Sequence, residues 1–186
     1  MKIHQLPRRA KGFTLIELLV VITIIAILAG LSFAGVNLAM KKAKKTQGLV
    51  AATSLATAIE TFYGEYNRLP DVQGEVETDG GGTKLLQVLL ALDGAEDNTR
   101  SIIFLQAPEA KGKRGGIGYE GSGDNVEGMW DPFGNPFTVI LNTEYEDRLT
   151  FSYGSQTVNL RGKQVAVYSP GGDGELNTTD DIKSWD

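Results

Sequence analysis

Cysteine is absent from the 186-residue chain, and histidine occurs once, as His4. Without thiols there are no disulfides, no thiolate zinc sites and no iron–sulfur clusters. With its one imidazole near the amino terminus, the rest of the chain has no histidine base for a Ser/His/Asp hydrolase. Proline is missing from Arg8 to Leu69, so nothing there breaks a helix by removing an amide donor. Charge is missing altogether from Leu18–Met40, a run of 23 residues. At about 1.5 Å of rise per residue, that run is long enough for a bilayer core of about 30 Å.

The charge that is present is unevenly placed. The net charge is -5, yet the first twelve residues hold Lys2, Arg8, Arg9 and Lys11 and no acid. Without them 14 bases face 23 acids, or -9. This balance argues against nucleic acid as a partner and suits a solvent-facing or cation-binding domain. The length fits one ordinary domain.

Residues 1–12 form a basic segment and 18–34 an apolar one, the layout of a secretory signal. A secretory signal would then offer a small-residue cleavage site. Instead the chain runs through Ala34, Gly35 and Val36 into Lys41-Lys42-Ala43-Lys44-Lys45, and the conspicuous small residue, Gly12, precedes the apolar run. One acid, Glu17, stands near the start of that run. A carboxylate in hydrocarbon costs roughly 2.5–3.5 kcal/mol, so Glu17 either stays near the headgroups of a plain anchor or has a partner.

The string Lys11-Gly12-Phe13-Thr14-Leu15-Ile16-Glu17 resembles the class III signal of type IV pilins and type II secretion pseudopilins. The resemblance implies cleavage between Gly12 and Phe13 by a prepilin peptidase, N-methylation of Phe13, and retention of the apolar helix. It also implies that Glu17 pairs with the amino-terminal amine of a neighbouring subunit. A carboxylate and an ammonium, each costly alone in hydrocarbon, are tolerable together. Four bases precede the span and four lysines follow it, so the positive-inside count is a tie. The resemblance places the leader in the cytoplasm and the carboxyl-terminal domain in the periplasm. Family members often carry a proline where this chain has Ala34; Gly30 and Gly35 are the available weak points.

Beyond the lysines, Leu49, Ala52, Ala56, Ile59, Tyr63 and Tyr66 recur at helical spacing and predict a helix with one buried face. Asn67 and Pro70 end it. The spacing thus predicts one helix over 13–66, its half at 13–40 in the membrane or filament core and its remainder packed on a soluble head, 41–186. Gly48 reads as a further weak point, worth about 1 kcal/mol against alanine. Asp71–Gly82 reads as a loop. Lys84–Leu92 reads as a short helix capped by Thr83 and stopped by Gly94. Ser101–Leu105 reads as a strand or extended edge, and Ala110–Gly128 as a glycine-rich loop or mobile insertion. Phe137–Leu141, Leu149–Tyr153 and Gln164–Tyr168 predict a small antiparallel sheet laid on the helix. The fold class is α+β, and the resemblance makes it type IV pilin-like.

Two motifs punctuate the sheet. Asp131-Pro132-Phe133-Gly134-Asn135-Pro136-Phe137 is turn chemistry, and also resembles a segment of major pseudopilins. The tail, Tyr168-Ser169-Pro170-Gly171-Gly172-Asp173-Gly174-Glu175 followed by Asp180-Asp181-Ile182, holds from residue 173 five acids against one base, Lys183. It is either a solvated acidic tail or a site for a hard cation. Carboxylates and glycine carbonyls without His or Cys suit calcium, although the spacing is not that of an EF-hand. Major pseudopilins, which the tail resembles, bind calcium in such a loop. The resemblance implies a loop over 169–186 with Asp173, Asp180 and Asp181 as ligands, joined by backbone carbonyls of Ser169, Pro170 and Glu175.

The reading implied is a structural subunit, not an enzyme. It would be stored as a single-pass protein of the inner membrane and would polymerise with copies of itself into a periplasmic type II secretion pseudopilus. Its expected partners are the minor pseudopilins, the prepilin peptidase and the inner-membrane assembly platform, with no nucleic acid. The alternative is a pilus-like pilin serving adhesion, motility or DNA uptake.

Overall fold

A computed structural model describes residues 12–92, 94, 96–121 and 125–185, with no side-chain description for 31–35. The leader expected at 1–12 lies, apart from Gly12, outside the described residues. The chain divides into two compact units, Met1–Met40 and Lys41–Asp186.

Helix α1 covers Leu15–Tyr66, 52 residues, close to the expected 13–66. Its start is set by Thr14 and its backbone is helical through Gly30 and Gly35. It ends where Asn67 turns left-handed at φ 54, its amide held by the Tyr63 carbonyl at 2.8 Å. Asparagine tolerates that conformation better than most residues. In the second unit α1 buries Gly48, Ala52, Leu55, Ala56, Ala58, Ile59 and Phe62. The expected stripe is right at Ala52, Ala56 and Ile59 but rotated at its edges: Leu55 and Phe62 are fully buried, whereas Leu49, Tyr63 and Tyr66 sit half-buried at the margin.

The remaining elements are β1 (Glu75–Glu77), α2 (Thr83–Leu89), β2 (Gly116–Tyr119), β3 (Val126–Trp130), β4 (Thr138–Leu141), β5 (Arg148–Tyr153), β6 (Gln156–Arg161), β7 (Val165–Ser169) and β8 (Ile182–Lys183). A four-stranded antiparallel sheet runs β1-β4-β7-β8. Its central strand β7 is buried along its whole length, and alternation explains why. Val165 and Val167, with Val139 and Leu141 of β4, join Leu55, Ile59 and Phe62 of α1 in one core. Ala166 and Tyr168, with Ile140, face a second core of Leu149, Phe151 and Tyr153. The sheet is therefore the middle layer between α1 and the β5–β6 hairpin. Full burial of side chains of this size stabilises by about 1.5–3 kcal/mol each.

Several sequence expectations are corrected here. The segment 71–82 is not all loop, because β1 pairs with β4 through Glu75 opposite Ile140. The stretch 110–128 contains the β2–β3 hairpin, in which Gly116 opposes Trp130; glycine lets that strand pass against the Pro108 carbonyl, which a Cβ would approach to 2.1 Å. Helix α2 has no side-chain cap, since the Thr83 hydroxyl donates instead to the Gly80 carbonyl, and it ends by Leu90. Residues 101–105 form no strand, Ser101 being left-handed at φ 50; the amides of Phe104 and Leu105 both reach the Leu89 carbonyl. Strand β6 had no expectation, because its pattern is mostly polar and exposed, and β5–β6 forms a separate two-stranded sheet. Gly48 is more than a weak point. A Cβ there would lie 2.3 Å from Ile182 Cδ1 and 3.2 Å from Pro132 Cδ, so glycine lets the tail and the Asp131 turn close onto α1.

Candidate functional site

Two regions carry the expected chemistry, and each is described within its own unit. In the first, Thr14-Leu15-Ile16-Glu17 forms a capping box. The Glu17 amide donates to the Thr14 hydroxyl oxygen at 3.3 Å, and Glu17 Oε2 accepts from the Thr14 amide and hydroxyl, each at 2.8 Å. This arrangement satisfies donors that a helix start leaves open. The Thr-x-x-Glu spacing was the signal, and the sequence reading passed over it. Gly12 and Phe13 precede the helix, with Phe13 79% exposed. Exposed apolar side chains then run from Leu15 to Leu28. Among the described residues, no helix is long and apolar enough to cross a membrane. The expected span, Leu18–Met40, includes 31–35, whose side chains lie outside the description.

The second region is the tail. Strand β7 ends at Ser169 and the chain turns at Gly171, φ 73. A Cβ at Gly171 would meet the Asp180 carbonyl oxygen at 2.3 Å, and one at Gly172 would meet Asp180 Oδ2 at 3.1 Å. The two glycines therefore let the loop fold back on Asp180 in a cradle with no room for a side chain. Asp180 Oδ2 accepts the amides of Gly172 at 2.7 Å and Asp173 at 3.1 Å. The Thr178 hydroxyl donates to Asp180 Oδ1 at 2.8 Å. Burial pushes the Asp180 carboxyl up, but bonds from Thr178, Gly172 and Asp173 outweigh it and hold the group below its usual value.

The structure thus brings Asp173 and Asp180 together, while Asp181 is buried behind them, its Oδ1 3.1 Å from the same Thr178 hydroxyl. Asp181 is 2% exposed, and its Oδ2 accepts from the Tyr153 hydroxyl and the Asn177 and Thr178 amides. Burial and the Asp181 carboxylate push the Tyr153 phenol up. Glu175 donates its amide to Asp173 Oδ1 at 2.9 Å, and its carbonyl accepts a long bond from Thr178 at 3.4 Å. Among the described residues no three His, Cys, Asp or Glu side chains gather to hold a metal ion. The donors that the described side chains offer are the carboxylates of Asp173 and Asp180 beside two glycines. That is hard-oxygen chemistry, which fits calcium and not a transition metal.

The sequence reading missed what holds this loop. Asp131 is fully buried. Its Oδ1 accepts the amides of Phe133, Gly134 and Asn135 at 2.7, 2.7 and 3.0 Å. Its Oδ2 accepts from Asn135 Nδ2 at 3.2 Å and from the Ser169 hydroxyl. An aspartate followed by a Gly-Asn pair was the available signal.

Residues 7–33 match the model of the prokaryotic N-terminal methylation motif. The chain is 28% identical to the type II secretion system core protein G of Aeromonas hydrophila, over 96% of this chain and 94% of that protein. The prepilin-type methylation motif and the likeness along nearly the whole chain support a type II secretion pseudopilin. The α+β architecture, a long amino-terminal helix with a small antiparallel sheet, is pilin-like. The chain is also 32% identical to the type IV major pilin protein PilA of Myxococcus xanthus (strain DK1622), over 41% of its own length and 34% of the pilin's. No solved structure matches it. The likeness to the secretion protein runs through head and tail.

Proposed function

We propose that this chain is a pseudopilin, the major subunit of a type II secretion pseudopilus. The carrying observation is likeness along nearly the whole chain, 96% of it, to a secretion core protein G. In this reading the chain is cut between Gly12 and Phe13, Phe13 is methylated, and the helix is held in the inner membrane with the head in the periplasm. Subunits then leave the bilayer for a filament, with Glu17 of one facing the new amine of the next. The filament's growth moves folded substrates outward. Prepilin peptidase, minor pseudopilins and the assembly platform are the partners.

The test is deletion of the gene, with mass spectrometry of the culture supernatant and electron microscopy of the cell surface. Loss of several secreted proteins with surface fibres unchanged supports the reading. An intact secretome with fibres lost replaces it with a pilus subunit, the role that the match to a major pilin favours.

Calcium belongs to the same proposal. Asp173 and Asp180 would hold the ion with carbonyls of Ser169, Pro170 and Glu175, and Asp181 would add its charge from the core side. The ion supplies charge neutralisation and closes a loop that would otherwise repel itself, as a disulfide would in a chain with cysteines. Asp173→Ala is expected to lower the thermal midpoint of the protein in calcium and to leave it unchanged in chelator. Wild type and variant melting alike under both conditions would remove calcium from the account.

A further inference from the structure

The segment that would supply backbone ligands is short: Ser169 and Pro170, followed by Gly171. Each end of it is tied to one buried group. At the near end, the Ser169 hydroxyl donates to Asp131 Oδ2. At the far end, Asn135 Nδ2 donates to the Gly171 carbonyl. The same Asn135 nitrogen donates to Asp131 Oδ2, so both of its hydrogens are used. The Gly171 amide also reaches the Ser169 hydroxyl oxygen at 3.3 Å. Asp131 is itself immobilised by three main-chain amides of its own turn. Neither Asp131 nor Asn135 belongs to the expected ligand set.

We infer that Asp131 and Asn135 form a clamp that preorganises the cation loop, making them positioning residues for calcium. This rests on the calcium reading above. Its physical content is entropic. A loop already held at Ser169 and Gly171 needs little ordering when an ion arrives, whereas a loop free at one end must lose that freedom on binding. Freezing one residue's backbone corresponds to roughly a tenfold loss in affinity. The turn also rests against α1: Lys44 Nζ lies 5.6 Å from the Phe133 ring centroid, and Lys45 Nζ donates to the Thr179 carbonyl at 2.7 Å. The clamp and the loop thus both meet α1.

The test is isothermal titration of the full-length processed protein in detergent with calcium chloride, at a temperature where every variant is folded by circular dichroism. Asn135→Ala is expected to weaken calcium binding about tenfold, and Ser169→Ala, which frees the other end, several-fold. A merely structural role would lower the melting temperature and leave the dissociation constant of the folded protein where it was. Should Asn135→Ala fail to fold, Ser169→Ala decides. Wild type binding calcium with the folded variants equally tight overturns the clamp and leaves the calcium site standing. Wild type failing to bind at all overturns the calcium reading and the clamp with it.

Discussion

Glu17→Ala is expected to leave the chain synthesised and cleaved but to abolish filament assembly and, with it, secretion. Two roles for this residue meet in one side chain. In the structure it closes a capping box with Thr14; in the proposed filament its charge answers a neighbour's amine. Glutamine separates them, because a capping box accepts Gln as well as Glu. If the cap were the whole role, Glu17→Gln would assemble normally, and Thr14→Ala would be as harmful as Glu17→Ala. If charge pairing dominates, Glu17→Gln fails like Glu17→Ala, while Thr14→Ala costs only about 1 kcal/mol of helix-end stability. An unpaired ammonium in hydrocarbon costs roughly 2.5–3.5 kcal/mol per subunit, a factor of order 100 at each addition step. Filament yield by shearing and electron microscopy reads the difference. Normal filaments from Glu17→Gln would end the pairing account.

Asp131→Ala is expected to destabilise the head by roughly 3–5 kcal/mol, the sum of a few orphaned donors at about 1–3 kcal/mol each. The substitution strands the amides of Phe133, Gly134 and Asn135, the Asn135 side chain and the Ser169 hydroxyl, all of which now converge on one carboxylate. Orphaned buried donors each retain a desolvation penalty of about 1–3 kcal/mol, eased only where water enters. For a domain of this size the melting midpoint should fall by roughly 10 °C or more. Urea unfolding of wild type and variant in chelator checks this without the metal. A change below about 1 kcal/mol would mean that the turn holds itself and Asp131 is dispensable.

Local chemistry was legible where one residue acts on its immediate neighbours. The stop at Asn67, the turn at Asp131–Pro136 and strands β4, β5 and β7 follow from φ preference and alternation within a few residues. Strand β1, three residues with two exposed glutamates, carries no such pattern; it exists because β4 presents an edge to it. Likewise Gly116 and Gly128 looked like loop material, yet they are small because backbone and the Trp130 ring pass against them. In the tail, the acids at 173, 180 and 181 looked equivalent. Only two lie on the loop, because Tyr153 on the hairpin draws the third into the core.

By itself, then, the sequence determined the composition-bound properties: no thiol or imidazole chemistry in the head, an uncharged helical run with one acid at its start, and an acidic, oxygen-only tail. These depend on residue type and spacing along one helix or one loop, so no distant partner can alter them. The tertiary structure alone decided the edges of the buried face of α1, which glycines are close approaches, and that a buried aspartate 38 residues before Ser169 bonds to it. Those outcomes depend on pairs of residues far apart in the chain, such as Gly48 with Ile182 and Asp131 with Ser169. Their contact free energy exists only once the layers have packed.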